Sequence, residues 1–598
     1  MRVLFVAGII LISSPALAQR GGGGNQNPAI VSLKTVTPPA PTGLDRYVLD
    51  QAALVTLGKA LFWDMQAGSD GRTACASCHF HAGADHRVQH QLSGPDAVMN
   101  QVLTTLDFPF RKLSNTGNNR SAAVSDKRQV AGSKGVVAKD FVQVDSGSDT
   151  DAANPTAAVS PFAPDGVHLR QVTGRNSPSV INAVFNVRNF WDGRASNIFT
   201  GATPFGDSDA GLHALAYRDG SLQREAVRIE NASLASQAVG PALNSAEMSW
   251  AGRSWPDLGR KLLNLAPLAR QKVDPTDSVL GPLANPNGNG LWPEWTYTAL
   301  IRAAFRPEYY NSPEYPDGYT QTESNFALIW GLAIQAYEAT LIANDSRVDQ
   351  FLEGRTTALT ALEQQGLNQF RNGGSQCTNC HNGAEITAAG VSIVQRRANL
   401  NTPADLGFFR IGVRPIADDV GLGGNDGFGF PLFTAAPTAA AGTFKAPGLR
   451  NVEFTGPYFH DGSQATLDQV LLFYSRNGDF PDGGNLGQGI GNIRLNQGDR
   501  TQIVAFLKAL SDDRVRYQRA PFDHPSLCVP DGHVQVSTTG LFELDPSQAG
   551  LIALDKWSLV PEVGKAGAAA PLQTFDELLN GIGNDGTRAN TMNTTCKP

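Results

Sequence analysis

Four of the six cysteines in the 598-residue chain fall into two units of one pattern: Cys75-Ala76-Ser77-Cys78-His79 and Cys377-Thr378-Asn379-Cys380-His381. C-x-x-C-H is the attachment pattern of c-type haem. Chemistry explains the spacing. Two thiols add across the vinyl groups of one porphyrin, and the adjoining imidazole reaches the iron from one face. A thioredoxin-like pair needs no such histidine, and a four-cysteine zinc site would have to unite pairs separated by half the chain. Two covalently bound haem c groups are therefore expected. Cys75, Cys78, Cys377 and Cys380 would carry them, with His79 and His381 on the irons. Cys528 and Cys596 remain. In an oxidising compartment they either bridge and pin the C-terminal tail or stay as two free buried thiols.

The segments before the two units repeat. Gly58-Lys59-Ala60-Leu61-Phe62 precedes the first and Gly366-Leu367-Asn368-Gln369-Phe370 the second. Each closes an amphipathic helix, with Leu54, Leu57 and Leu61 sharing a face in one and Leu359, Leu362 and Phe370 in the other. Gly at i with Phe at i+4 suits a helix that crosses another closely and covers a haem edge. Arg500 to Ser511, with Ile503, Val504, Phe506, Leu507 and Leu510 apolar, supplies a closing helix for the second unit. The fold class expected is mainly α with long loops. Two cytochrome c-like haem domains share an inter-domain cleft, with an extra insert and a C-terminal tail.

Composition fits this outline. The chain is 41% hydrophobic and 17% charged, too apolar for disorder and too long for one core. Its 62 Gly and 36 Pro follow no period. The net charge is -7 and basic residues do not cluster, so neither nucleic acid nor an anionic membrane is expected as a partner. Met1-Arg2, an apolar run from Val3 to Ile12, and Ala16-Leu17-Ala18 read as a secretory signal peptide, too short to span a membrane. No later stretch reaches ~18 uninterrupted apolar residues, so a periplasmic protein without a membrane span is expected. The organisation expected is 1–18 signal peptide, 19–45 flexible segment, 46–345 N-terminal haem domain with insertions, 346–518 C-terminal haem domain and 519–598 tail. The stretch from Leu92 to Val172 shows no sustained period and reads as ordered loop or lid. Ser249 to Asp349, richer in Trp, reads as added helices over the haem cleft.

With these residues in view, the sequence resembles the bacterial dihaem cytochrome c peroxidases, a family that includes the MauG-type enzymes. Beyond the haem units, the blocks that carry the resemblance run in the family's order from about Leu49 to Leu510. They are Leu57 to Asp64, Arg175-Asn176-Ser177-Pro178 through Phe190-Trp191-Asp192-Gly193-Arg194, Gly240 to Met248, Phe444 to Val452, and Thr455-Gly456-Pro457-Tyr458-Phe459-His460-Asp461-Gly462. The resemblance implies an exported oxidoreductase that reduces hydrogen peroxide at the N-terminal haem with electrons from a small cytochrome c or cupredoxin. It implies Trp191 as an electron relay between the haems and Glu247 as the carboxylate that moves a proton during peroxide cleavage. It implies Ca²⁺ held by Asn176 and by the carbonyls of Thr455 and Pro457.

The chain also departs from the family pattern. Where peroxidases of the family place a Met on the second haem, the register from Thr466-Leu467 brings Tyr474, and no Met lies between Met248 and Met592. Tyr at this position resembles the MauG-type enzymes. It implies the alternative of a dihaem oxidase acting through a high-valent iron state on a partner protein or organic substrate. A phenolate favours the higher oxidation states, whereas Met raises the potential. His81, His86 and His90 follow closely on His79, and an open or water-filled distal face is favoured over a loop His there. The 519–598 tail has no counterpart in the resemblance.

Overall fold

Two helix crossings, built alike, hold the molecule. Helix α1 (Gln51–Trp63) starts where the Asp50 side chain accepts from the Ala53 N–H. It crosses α2 (Phe326–Glu338), a helix buried on nearly every side. Helix α3 (Ala361–Arg371) starts at a reciprocal bond set between Thr360 and Glu363. It crosses α5 (Gln497–Ala509), which is capped by Asn496 and Asp499. Between them in sequence comes α4 (Leu467–Ser475), capped by Thr466 with Gln469, which packs against α5. Each crossing turns on a glycine. A Cβ on Gly58 would stand 1.9 Å from the Ala333 carbonyl oxygen, and one on Gly366 would stand 1.9 Å from that of Gln502. The Gly-to-Phe spacing thus marks close helix approach in both units.

The computed structural model describes residues 28–596 apart from 157–160, 210–212, 372–373, 399–406, 426–428, 430, 433–439, 482–489, 537–539 and 582–595. The expected signal peptide and the start of the 19–45 segment lie outside the described residues. Among the described residues no helix is long and apolar enough to cross a membrane.

Three expectations need correction. The fold is mixed rather than mainly α, because seven two-stranded antiparallel ribbons accompany the helices among the described residues. Four of them occupy Leu92 to Val172, the stretch read as loop or lid. Their strands are two to five residues long, at or below the short end of the run in which a period of two can be recognised. Leu362 does not share the inner face of α3. It is 43% exposed, because capping at Thr360 starts the helix so that Glu363, Gly366, Leu367 and Phe370 turn inward, while Leu359 is buried just before it. The segment from Ser249 to Asp349 does form helices, Trp255–Leu263, Tyr297–Ala304 and α2 among them.

Four apolar clusters result among the described residues, and two are large. One runs from Tyr47 to Ala343, and the other gathers Val348 to Leu510 with Ile30. Each buried Leu, Ile or Phe contributes about 1.5–3 kcal/mol. The tail joins the first core through Phe522, Leu527, Val529 and Val560. Strand β1 (Leu527–His533) pairs antiparallel with β2 (Asp555–Val560) and packs beside the Ala76–His79 turn. The Arg87 guanidinium donates to the Pro530 carbonyl, and Arg170 Nε sits 2.9 Å from Asp555. Cys528 and Cys596 form a disulfide, which decides between the two alternatives left by the sequence.

Candidate functional site

The haem-attachment residues, Tyr474, Glu247, Trp191 and the expected calcium ligands each line one of two adjoining cavities. The first, about 1660 Å³ with its open mouth, is bordered by Cys75, Cys78, His79, Glu247, Asn176 and Trp191. The second, about 1930 Å³, is bordered by Cys377, Cys380, His381, Tyr474, Thr455 and Pro457. Asn176, Ser177, Pro178, Ser179, Trp191 and Lys445 face both and form the wall between them.

The wall is stitched by backbone. Trp191 Nε1–H donates to the Asn176 carbonyl at 2.8 Å, and Lys445 N–H donates to the Trp191 carbonyl at 2.8 Å. The Asn176 N–H donates to the His460 carbonyl at 2.8 Å, and its side-chain amide donates to the Ala131 carbonyl at 3.1 Å. The His460 ring stacks on Phe444 at 3.7 Å and meets Trp191 at 6.4 Å. A charged lattice braces the mouth. Arg175 reaches Asp192 at 2.6 Å and Asp419 at 2.7 Å, and Arg194 reaches Asp192 at 2.9 Å.

The residues of the two Cys-Cys-His units suit covalent haem. His79 Nδ1 lies 2.9 Å from the Gly83 carbonyl, so its hydrogen sits on Nδ1 and leaves the Nε2 lone pair to a metal. Burial lowers the His79 pKa and pushes His381 down to about 4, so both imidazoles are neutral, as iron ligation requires. Burial raises Cys75 and brings Cys78 to about 12, Cys377 to about 11 and Cys380 to about 12. Each cavity also holds an under-compensated ionisable group. Lys445, 6% exposed, has only long contacts from Nζ to the Arg188 carbonyl at 3.3 Å and Asn189 Oδ1 at 3.4 Å, and burial brings it to about 7. Glu338 borders the first cavity with one carboxyl oxygen buried and unpartnered, and burial raises it to about 8. Glu247 is half-buried; burial raises its pKa, and the Arg194 charge opposes that.

Tyr474 projects from α4 into the second cavity, half-buried, near Phe473 and Phe459. Burial holds its phenol above the usual range, so in the absence of a metal it is protonated. His81, His86 and His90 border neither cavity. His81 and His86 stack on each other at 3.5 Å, and both ring nitrogens of His90 are engaged, by the Arg170 carbonyl and the Asn100 N–H. Among the described residues no cluster of three or more His, Cys, Asp or Glu side chains is arranged to hold a metal ion.

Sequence reasoning gave no role to Lys445, Glu338, Arg175 or Asp192. Lys445, Arg175 and Asp192 lie inside the blocks that carried the resemblance, but only the fold places Lys445 in the wall and Arg175 and Asp192 beside the first cavity. Glu338 ends an otherwise apolar helix, a signal that could have marked it as a buried carboxyl.

The sequence profile of the di-haem cytochrome c peroxidases matches residues 52–357, just over half of the chain. Cytochrome c551 peroxidase of Nitrosomonas europaea is 34% identical over 184 residues, 30% of this chain and 44% of that protein. The cytochrome c551 peroxidase of Pseudomonas aeruginosa is 29% identical over 360 residues, 59% of this chain and 70% of that protein. The methylamine utilization protein MauG of Methylorubrum extorquens is 28% identical over 178 residues, 30% of this chain and 42% of that protein. With both haem-attachment units facing cavities that share a wall, the chain belongs to the di-haem cytochrome c peroxidase family.

Proposed function

We propose that the protein is an exported dihaem peroxidase that reduces hydrogen peroxide with electrons from a small periplasmic cytochrome c or cupredoxin. The observation that supports this most is the shared wall, in which one indole, Trp191, borders both haem-attachment cavities. Cys75 and Cys78 would hold the first haem with His79, and Cys377 and Cys380 the second with His381 and Tyr474. Bound there, the haems supply iron centres that exchange electrons with peroxide and with the donor.

The chain's own residues do the rest. Glu247 faces the first cavity, where it takes the proton from one peroxide oxygen and returns it to the other; burial makes its carboxylate a better base than an exposed one. Trp191 carries electrons across the wall, its orientation fixed by the bond to the Asn176 carbonyl. Arg175, Arg194, Asp192 and Asp419 keep the mouth rigid. Asn176 with the carbonyls of Thr455 and Pro457 offers neutral oxygens in the second cavity. Ca²⁺ there would need water to complete six or more ligands.

Tyr474 favours a second reading, a MauG-like oxidase acting on a partner protein or organic substrate. A phenol in the cavity of His381 offers an anionic ligand where a neutral thioether would raise the potential. Steady-state turnover of peroxide with reduced cytochrome c or cupredoxin decides between them. Saturable oxidation of the donor upholds the peroxidase. A protein that reacts with peroxide but oxidises neither donor refutes it in favour of the second reading.

A further inference from the structure

A smaller void, about 400 Å³, adjoins the first cavity. His79 and Phe62 border both, and Trp63, Tyr337, Gln518 and His524 close it. Trp63, 4% exposed, stacks on the His524 imidazole at 4.6 Å and 9°. Its Nε1–H donates to the Tyr337 hydroxyl at 2.9 Å. The Phe62 ring spans the remaining gap, 6.5 Å from the His79 ring and 5.9 Å from Trp63. His524 is neutral and fixed. Its Nδ1–H donates to the Pro525 carbonyl at 2.9 Å, and the Gln518 amide donates to its Nε2 at 2.7 Å.

Charge around this group favours a hole. Lys59 stands 2.7 Å from Asp277 and 3.7 Å from Asp523, all three side chains fully buried, so two carboxyl groups share one ammonium. Both carboxylates act electrostatically on Tyr337, the partner of Trp63. Burial raises Asp277, and Lys59 opposes Asp523 at His524, so the negative charge available to a cation is that facing Tyr337, and a medium of low polarity strengthens it. Burial keeps the Tyr337 phenol protonated, so its oxygen accepts a hydrogen bond and does not take the indole proton. A tryptophan packed only for its bulk needs neither a stacked neutral imidazole nor carboxyl groups facing its hydroxyl partner.

We propose that Trp63 is a second redox-active indole, serving the first haem from the side of the tail. Trp63 gives one electron, through Phe62 and His79, to the peroxide-oxidised haem, which is reduced by one electron. The indole is left as a radical cation that keeps its Nε1 proton in the bond to Tyr337. No bond to carbon forms or breaks and no proton leaves. His524 and Asp523 come from the tail, which thereby takes part in the redox site. The inference rests on the peroxidase reading above.

The test uses the full-length holoprotein treated with a few equivalents of hydrogen peroxide and no electron donor. Freeze-quenched samples are read by electron paramagnetic resonance, with natural and indole-deuterated tryptophan, beside Trp63→Phe. Peptide mapping by mass spectrometry then compares oxygen addition at Trp63 with that at Trp330, an equally buried indole that borders neither void. The expected result is an organic radical that narrows on deuteration and falls in Trp63→Phe, and several-fold more oxidation at Trp63 than at Trp330. Peroxide consumed with Trp63 oxidised no more than Trp330 overturns this inference and leaves the peroxidase reading standing. Failure of the wild-type protein to consume peroxide overturns both. The wild-type peptide map decides the matter even if Trp63→Phe does not fold.

Discussion

Gly366→Ala tests the helix crossing that frames the second haem cavity. In an unconstrained helix the change is favourable, worth roughly 0.5–1 kcal/mol. Here the new Cβ would stand 1.9 Å from the Gln502 carbonyl oxygen, 2.7 Å from its carbon and 2.8 Å from the Phe506 Cβ. Two of the three atoms are backbone, so no side-chain rotation relieves the clash. Helices α3 and α5 must part by more than an ångström, loosening Leu367 and Phe370 against Ile503, Phe506 and Leu507. Overpacking of this kind costs about 1–3 kcal/mol and sometimes more. The clash outweighs the propensity gain, and the expected net effect is a loss of about 2 kcal/mol. Urea unfolding of the holoprotein, followed by circular dichroism and by the Soret band, reads it. Gly58→Ala should behave likewise, because its Cβ meets the Ala333 carbonyl at the same 1.9 Å. A Gly366→Ala protein more stable than wild type by about 1 kcal/mol would falsify the close crossing, since propensity would then act alone.

Four further outcomes follow from the site. Glu247→Gln keeps the shape and removes proton transfer, so peroxide cleavage should slow by ~10²-fold or more with both haem spectra unchanged; wild-type turnover would make Glu247 a bystander. Replacing Cys377 and Cys380 by Ala should leave one haem per chain in a pyridine haemochrome assay, and a count of two would sink the second attachment site. Tyr474→Met should raise the potential of the second haem and Tyr474→Phe should alter its ferric spectrum, whereas an unchanged spectrum and potential in Tyr474→Phe would remove the phenolate ligand. Burial alone would raise Asp555, but Arg170 and His533 more than offset it and hold it at about 2. A carboxyl depressed below its unfolded value of about 3.9 stabilises the fold above that pH, by roughly 2 kcal/mol, and loses this as pH falls towards 2. Asp555→Asn should therefore lose stability at pH 7 but match wild type near pH 2; an equal deficit at both would show that charge is not the cause.

How much was legible in the sequence depended on the range of the determinant. The Cys-Cys-His units are local chemistry, and both open onto cavities. The Gly58 and Gly366 crossings were also legible, because a glycine four residues before a phenylalanine constrains one helix face. Leu362 was misplaced because inward direction depends on where the Thr360 cap starts the helix. The ribbons between Leu92 and Val172 escaped because strands this short gain their stability from distant partners rather than from their own pattern. Lys445 could not be told from a surface lysine until residues far away in sequence enclosed it. Trp63 was read within a family block, yet its stacking partner His524 comes from a tail with no counterpart in that block.

The wall has a further consequence. Its parts come from two stretches of the chain far apart in sequence, with Asn176, Ser179 and Trp191 on one side and Lys445 and the His460 carbonyl on the other. Neither half encloses Trp191 by itself. The partition therefore exists only where the two stretches meet, held by the Asn176 N–H to His460 and Lys445 N–H to Trp191 bonds. Splitting the gene between the two stretches would part Trp191 from the Lys445 and His460 backbone that completes its surround.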